Sequence, residues 1–248
     1  MLRGTGTVLN MAAILIGSGL GVALGGRLPE RTRVTVTDAL GLVTLVIGGL
    51  NLAALADDDF RAAVGDEGTL LVVLGALVIG GIAGSLLQLE ARLERTGAWL
   101  QRRLAREGSG ETRARFVEGY VSASLVFVVG PLAVLGSLSD GLGRGIEQLA
   151  LKSTLDGFAS LAFAASFGWG VAAAALSVGV VQGVLTLLGA LLGGLLPASL
   201  VAAVTATGGV LLLGVGLRLL ALKAVAVGDL LPALLVAPAL TAVVEALR

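Results

Sequence analysis

From residue 69 to residue 89 no side chain carries a charge, and the run is long enough to cross a bilayer as a helix, which takes about 20 residues. Further apolar runs approach or exceed that length at 7–26, 39–55, 117–138, 155–176, 178–196, 203–222 and 230–247. They are continuously apolar rather than alternating, which argues against a membrane β-barrel. A chain 56% hydrophobic and 14% charged, with mean hydropathy +0.98, lacks the polar surface of a soluble domain of 248 residues. The expected fold class is all-α: a polytopic membrane helical bundle of seven or eight spans.

Absent residue types narrow the chemistry. With no Cys and no His, thiolate nucleophiles, disulfides, most zinc and haem ligation and a Ser-His-Asp triad are excluded. The chain shows no HExxH, Walker A or GxSxG pattern, and a Ser-Lys dyad of Ser137 or Ser139 with Lys152 is unspecific. No enzyme activity and no cofactor are expected. A formal net charge of zero implies no nucleic-acid partner. The expected partners are the lipid bilayer, a small solute or ion, and further copies of the chain.

Loop charge sets the expected topology. Arg27, Arg31 and Arg33 follow the first span, seven arginines lie in 90–116, and the 56–68 loop is acidic with one Arg. Positive loops face the cytoplasm, so the N-terminus is expected outside. A re-entrant fourth or fifth span would leave seven crossings. The first 26 residues resemble a signal peptide, but the repeat described next argues for a retained span. In 90–116, Leu89, Leu93, Leu100 and Leu104 share a face while Arg92, Arg95, Arg102, Arg103 and Arg106 fill much of the remainder. This pattern fits an amphipathic helix lying at the membrane surface, with Trp99 at headgroup level, or a solvated connector.

Residues 19–52 align without gaps to 187–220 with 13 identities in 34 positions, including the GG-x-L-P of Gly25 to Pro29 and Gly193 to Pro197. AVGD recurs at 63–66 and 226–229. Spans 1–3 thus match spans 6–8. Five crossings separate the two starts, and an odd number inverts one copy relative to the other. Inverted repeats are a hallmark of secondary transporters. The expected organisation is a first three-helix repeat at 1–89, an Arg-rich linker at 90–116, central spans with a broken helix and a polar stretch at 117–176, and a second three-helix repeat at 177–248. Gly17, Gly21 and Gly25 line one face of the first span, and Gly179, Gly183, Gly189 and Gly193 recur in the sixth, a spacing that lets helix backbones approach closely.

Polar groups within spans are the candidate site, because each is costly there. They are Asn10, Asn51 and Gln182, with Asn10 and Gln182 a candidate pair at roughly matching depths of related spans. Gly130-Pro131 is expected to break the fourth span, and broken helices expose backbone groups that bind ions or anions. Ser137, Ser139 and Asp140 follow, with Asp140 at a helix end. Lys152 and Asp156 are four apart, so on a helix they share a face and neutralise one another. Ser153 or Thr154 is the expected cap of the fifth span. In a transporter, Lys152 would attract a carboxylate or other anion, and Asp140 or Asp156 would carry a coupling proton. Arg218 and Lys223 are expected to snorkel to the cytoplasmic surface.

Taken together, these segments resemble a known family. They are the G-x-x-x-G-x-x-x-GG-x-LP-E-R segment from Gly17 to Arg31, then ASLVFVVGPLAVLGSLSDGL, LKSTLDGFASLAFAASFGWGV with the Gln182-Gly183 that follows, and GGVLLLGVGLRLLALKAVAVGDLLPALLVAP. Over nearly its whole length the chain is similar to the YqgA/YdfK-like uncharacterised bacterial membrane proteins, domain-of-unknown-function family 554. The resemblance implies a multi-spanning protein of the inner or plasma membrane and no assigned biochemistry. The functional expectation is therefore a secondary transporter or channel for a small solute, anionic or neutral, by alternating access between inverted repeats, with a non-transport scaffold or assembly factor as the rival.

Overall fold

The computed structural model describes residues 3–25, 29–104, 110–128, 131–192 and 197–248, and among them there is no strand. The helices are α1 (Thr5–Gly25), α2 (Glu30–Asn51, continued by a 3-10 turn, Leu52–Ala56), α3 (Asp58–Val64), α4 (Gly68–Leu86), α5 (Leu89–Leu104) and α6 (Gly110–Val128). They continue with α7 (Pro131–Gly141), α8 (Glu147–Phe167), α9 (Gly170–Leu192), α10 (Ala198–Leu219), α11 (Val227–Leu230) and α12 (Ala233–Leu247). Among the described residues six helical segments are long and apolar enough to cross a membrane, and α6 with α7, bent by 65°, makes a seventh if the pair is one broken span. The protein is an all-α membrane helical bundle. α8 has the length, at 21 residues, but carries Glu147, Lys152 and Asp156.

Local chemistry explains several boundaries. Pro29 and Pro197 each stand just before a helix of 22 residues, where the missing N–H and fixed φ suit a helix start. Asp57 caps α3 by accepting from the Phe60 amide at 3.0 Å. Gly168, at φ +75°, ends α8 in a conformation that side chains with a Cβ disfavour.

That glycine corrects the expected fifth and sixth spans at 155–176 and 178–196. The break falls at Gly168-Trp169, and the helix before it begins at Glu147. Apolar residues run on through Gly168, so composition alone hides the stop. The polar stretch after Gly141 is correspondingly mostly helix. Ser153 and Thr154 do not cap it but sit inside α8, donating to the Leu149 carbonyl at 2.6 Å and the Ala150 carbonyl at 3.1 Å. Gly26, Arg27, Arg106, Gly193 and Gly194 lie outside the described residues, as does Gly130, so the expected break is visible as the 65° bend between α6 and α7 and as Pro131 opening α7.

The chain divides into two compact units. The first comprises 1–41, 92–128 and 132–195, the second 42–91, 129–131 and 196–248. In the first, α1 and α8 run parallel along the expected glycine face. A Cβ at Gly17, Gly21 or Gly25 would strike the backbone carbonyl of Gly157, Leu161 or Ala165. Such contact supplies dispersion between helices that gain nothing from leaving lipid. α9 runs antiparallel to α1, with Met11 on Gly179 and Thr7 opposite Thr186 at 3.5 Å. α6 covers α8 and α9, with Gly119 on Phe167 and the Phe116 carbonyl on Gly170. There the Ser124 hydroxyl donates to Ser177, whose own hydroxyl donates to Tyr120. α5 lays Gly97 on the Tyr120 ring and buries Leu100, leaving Trp99 exposed beneath Arg103 at 5.6 Å.

In the second unit α10 is central, and most of its residues are buried. Phe60, Val64, Val72 and small residues such as Ala76, Ala203 and Ala237 form the core around it. α4 and α12 run antiparallel, with Gly80 on the Ala233 backbone and Gly75 on Leu240, while Gly48 of α2 meets Gly209 of α10. Outward positions such as Val46, Leu70 and Leu235 are exposed aliphatics, as a lipid-facing surface requires.

Candidate functional site

Four helices of the first unit bring polar side chains inside. Lys152 and Asp156 face the same side of α8 because they are one turn apart, and Lys152 Nζ lies 3.0 Å from Asp156 Oδ1 and 2.9 Å from Oδ2. Their side chains are 8% and 9% exposed. Asn10 of α1 donates from Nδ2 to Asp156 Oδ2 at 2.9 Å. The glycine seam draws α1 close enough to α8 for this bond. The Asp156 carboxylate is therefore shared between an ammonium and an amide, the arrangement that limits the cost of burying charge.

A second carboxylate is held differently. Asp140, near the C-terminal end of α7 and 2% exposed, accepts from the Gly4 amide at Oδ1 and from the Gly6 amide at Oδ2, both at 3.0 Å. These are N-terminal amides of α1, which otherwise lack helical partners and carry the positive end of the helix dipole. The start of α1 and the end of α7 therefore lie together.

Gln182 and Ser137 complete the first unit's share. Both are fully buried. Neither amide atom of Gln182, nor Ser137 Oγ, nor Asn10 Oδ1 has a hydrogen-bond partner, and Ser18 Oγ is likewise alone. The expected pairing of Asn10 with Gln182 is not made, since Asn10 spends its donor on Asp156. Ser139 is half-buried, and its carbonyl accepts from the Arg144 amide. Asn51 belongs to the second unit, where it ends α2 against Gly209. Gly130 lies outside the described residues, and Pro131 is the first residue of α7.

Two apolar hollows adjoin these helices. One of about 530 Å³ is lined by Met11, Leu15, Phe116, Trp169 and Leu176, and an open groove of about 250 Å³ by Ala13, Gly17, Ser153, Gly157 and Phe158. Neither is lined by Asn10, Lys152, Asp156 or Gln182, so the polar cluster is not part of either hollow.

One charged cluster escaped the sequence reading. Arg218, expected to snorkel, pairs with Glu90, whose other oxygen accepts from the Gly228 amide at 2.6 Å. Asp229 Oδ1 in turn accepts from the Glu90 amide at 2.9 Å. The only available hint was the second AVGD, which contains Gly228 and Asp229.

Comparison with known proteins adds a family and no activity. The family described as "Protein of unknown function (DUF554)" matches residues 5–242. The chain is 31% identical to the uncharacterized protein YqgA of Escherichia coli (strain K12) over 214 residues, 86% of each chain. It is 28% identical to the uncharacterized membrane protein YdfK of Bacillus subtilis (strain 168), over 86% of this chain and 85% of that one. No solved structure matches it.

Proposed function

We propose that this chain, which belongs to the DUF554 family, is a secondary transporter of the bacterial cell membrane that moves a small solute with an anionic group by alternating access between inverted repeats. The observation that carries the reading is the buried Lys152–Asp156–Asn10 cluster. Ionised groups within spanning helices are rare because they are expensive, and they persist where they handle ions or solutes. In the working cycle Lys152 exchanges Asp156 for the solute's anionic group, and Asp140 or Asp156 accepts the coupling proton.

The packing within each unit supports the inverted relation. The aligned segments α1 and α9 meet antiparallel in the first unit, and the third helices of the two copies, α4 and α12, meet antiparallel in the second. α2 and α10 have the same length and begin after corresponding prolines. Counting α6 with α7 as one crossing and α8 as another gives eight, with the N-terminus outside. A closed scaffold is the second reading, and the backbone-to-backbone contact at Gly17, Gly21 and Gly25 is what favours it.

Proteoliposome uptake of labelled acetate, lactate and succinate tests the proposal. Lys152→Gln and Asp156→Asn, each checked for intact folding, are expected to reduce uptake at least about tenfold, since a lost charge-assisted bond is worth roughly that factor or more. Uptake unchanged in both variants overturns the assignment of the cluster, and no uptake by the parent protein favours the scaffold.

A further inference from the structure

The unpartnered oxygens of the first unit point to a ligand that the ion pair does not explain. Asp156 accepts hydrogen bonds and cannot donate while ionised, so the Asn10 amide must turn Nδ2 toward it. Asn10 Oδ1 is thereby committed to face away from Asp156, and it has no partner. Gln182, 0% exposed, leaves both its oxygen and its nitrogen unmatched, and Ser137, also 0% exposed, leaves its hydroxyl unmatched. Orphaned groups at this depth each cost about 1–3 kcal/mol.

Helix register gathers these atoms onto one seam. Gly141 of α7 abuts the carbonyl of Thr186 on α9. Gly189 of α9 likewise abuts the Leu138 backbone, so α7 crosses α9 beside Ser137, and Gln182 stands one turn before Thr186 on α9. Across from them, Thr7 faces Thr186 and Met11 lies on Gly179, so the stretch of α1 that carries Asn10 runs opposite the stretch of α9 that carries Gln182. The site is thus built from α1, α7 and α9, with the Lys152–Asp156 pair on α8 behind Asn10.

The chemistry of the donors selects the ligand. Amide and hydroxyl oxygens are hard, neutral donors that suit hard cations. Among the described residues no three acidic side chains stand together, as a divalent ion held by carboxylates would require. Lys152 and Asp156 already cancel one another, so the donors left for a ligand are neutral oxygens. We propose that Asn10 Oδ1, Ser137 Oγ and the Gln182 side-chain oxygen bind a dehydrated monovalent metal cation of about the size of sodium. The proposal rests on the transport reading for its role: the cation is a second coupling ion beside the proton, and its site is separate from Lys152.

The test is thermal unfolding of the purified full chain in detergent, in sodium, potassium or choline chloride at matched ionic strength. Sodium is expected to raise the midpoint saturably, by on the order of 5 °C over choline. Gln182→Leu is expected to fold and to lose the response, while Ser137→Ala shifts the half-saturating concentration upward about tenfold. Identical midpoints in all three salts overturn the site and assign the seam to water, as does a full sodium response in both variants. Solute uptake that proceeds equally with choline outside sinks the cation site and leaves the transport reading standing. A sodium response without uptake of any tested solute does the reverse.

Discussion

The two charge clusters, one buried and one partly exposed, make a useful contrast. In the second unit Arg218 stands in the last turn of α10 and Glu90 in the first turn of α5, and Glu90 also receives an amide from α11. Each charge there complements the helix dipole at its own end, so the cluster is explained as a clamp on helix termini. In the first unit Lys152 and Asp156 lie beyond the first turn of α8, where the dipole no longer acts, and they need Asn10 from another helix. Fastening helix ends would not require charges there. Arg218 with Glu90 therefore reads as structure, and Lys152 with Asp156 is the pair that the transport proposal uses.

The largest expected effect breaks the first cluster unevenly. Lys152→Leu leaves the buried Asp156 carboxyl beside an amide alone, a loss of about 3–5 kcal/mol by denaturant titration in detergent. Lys152→Leu with Asp156→Leu is expected to recover most of it. A double variant as unstable as the single one would mean that the pair itself holds the unit together, and the contrast with the Arg218 clamp would fail.

Next comes the seam that allows the Asn10 bond. Gly21→Val drives side-chain atoms into the Leu161 carbonyl and is expected to cost about 3 kcal/mol, whereas Gly19→Val, at a position with open space around it, stays within about 1 kcal/mol. Equal losses would show that helix propensity, not close approach, governs α1.

The smallest effects sharpen the second cluster. Arg218→Leu is expected to cost about 1.5–3 kcal/mol, because it strands Glu90 at 14% exposure. Arg115→Ala, removing a 3.7 Å pair with Glu30 whose side chain is 63% exposed, should change stability by less than about 0.5 kcal/mol. If both fall in the same small range, the Arg218–Glu90 pair does not fasten the helix ends.

Much of the fold was legible because crossing a bilayer is a local property: a run such as 69–89 announces itself by length and apolarity, whatever surrounds it. The Lys152–Asp156 pair was legible for the same reason, since four residues on a helix is one turn. The helical start at Glu147 and the stop at Gly168 were not, because the first hides in polar sequence and the second in apolar sequence. Glu90 with Arg218, 128 residues apart, left no local trace, and neither did the transfer of Asn10 from Gln182 to Asp156.

The amino-acid sequence alone determined a polytopic helical membrane protein with glycine faces four residues apart, since hydrophobic length and helical period are written in neighbouring residues. Which helix those glycines meet was decided by tertiary structure. So was the partner that Asn10 takes and the set of oxygens left over on α1, α7 and α9. Each depends on backbones from distant segments coming within contact, and polar groups in lipid then pair with whatever that packing brings within reach.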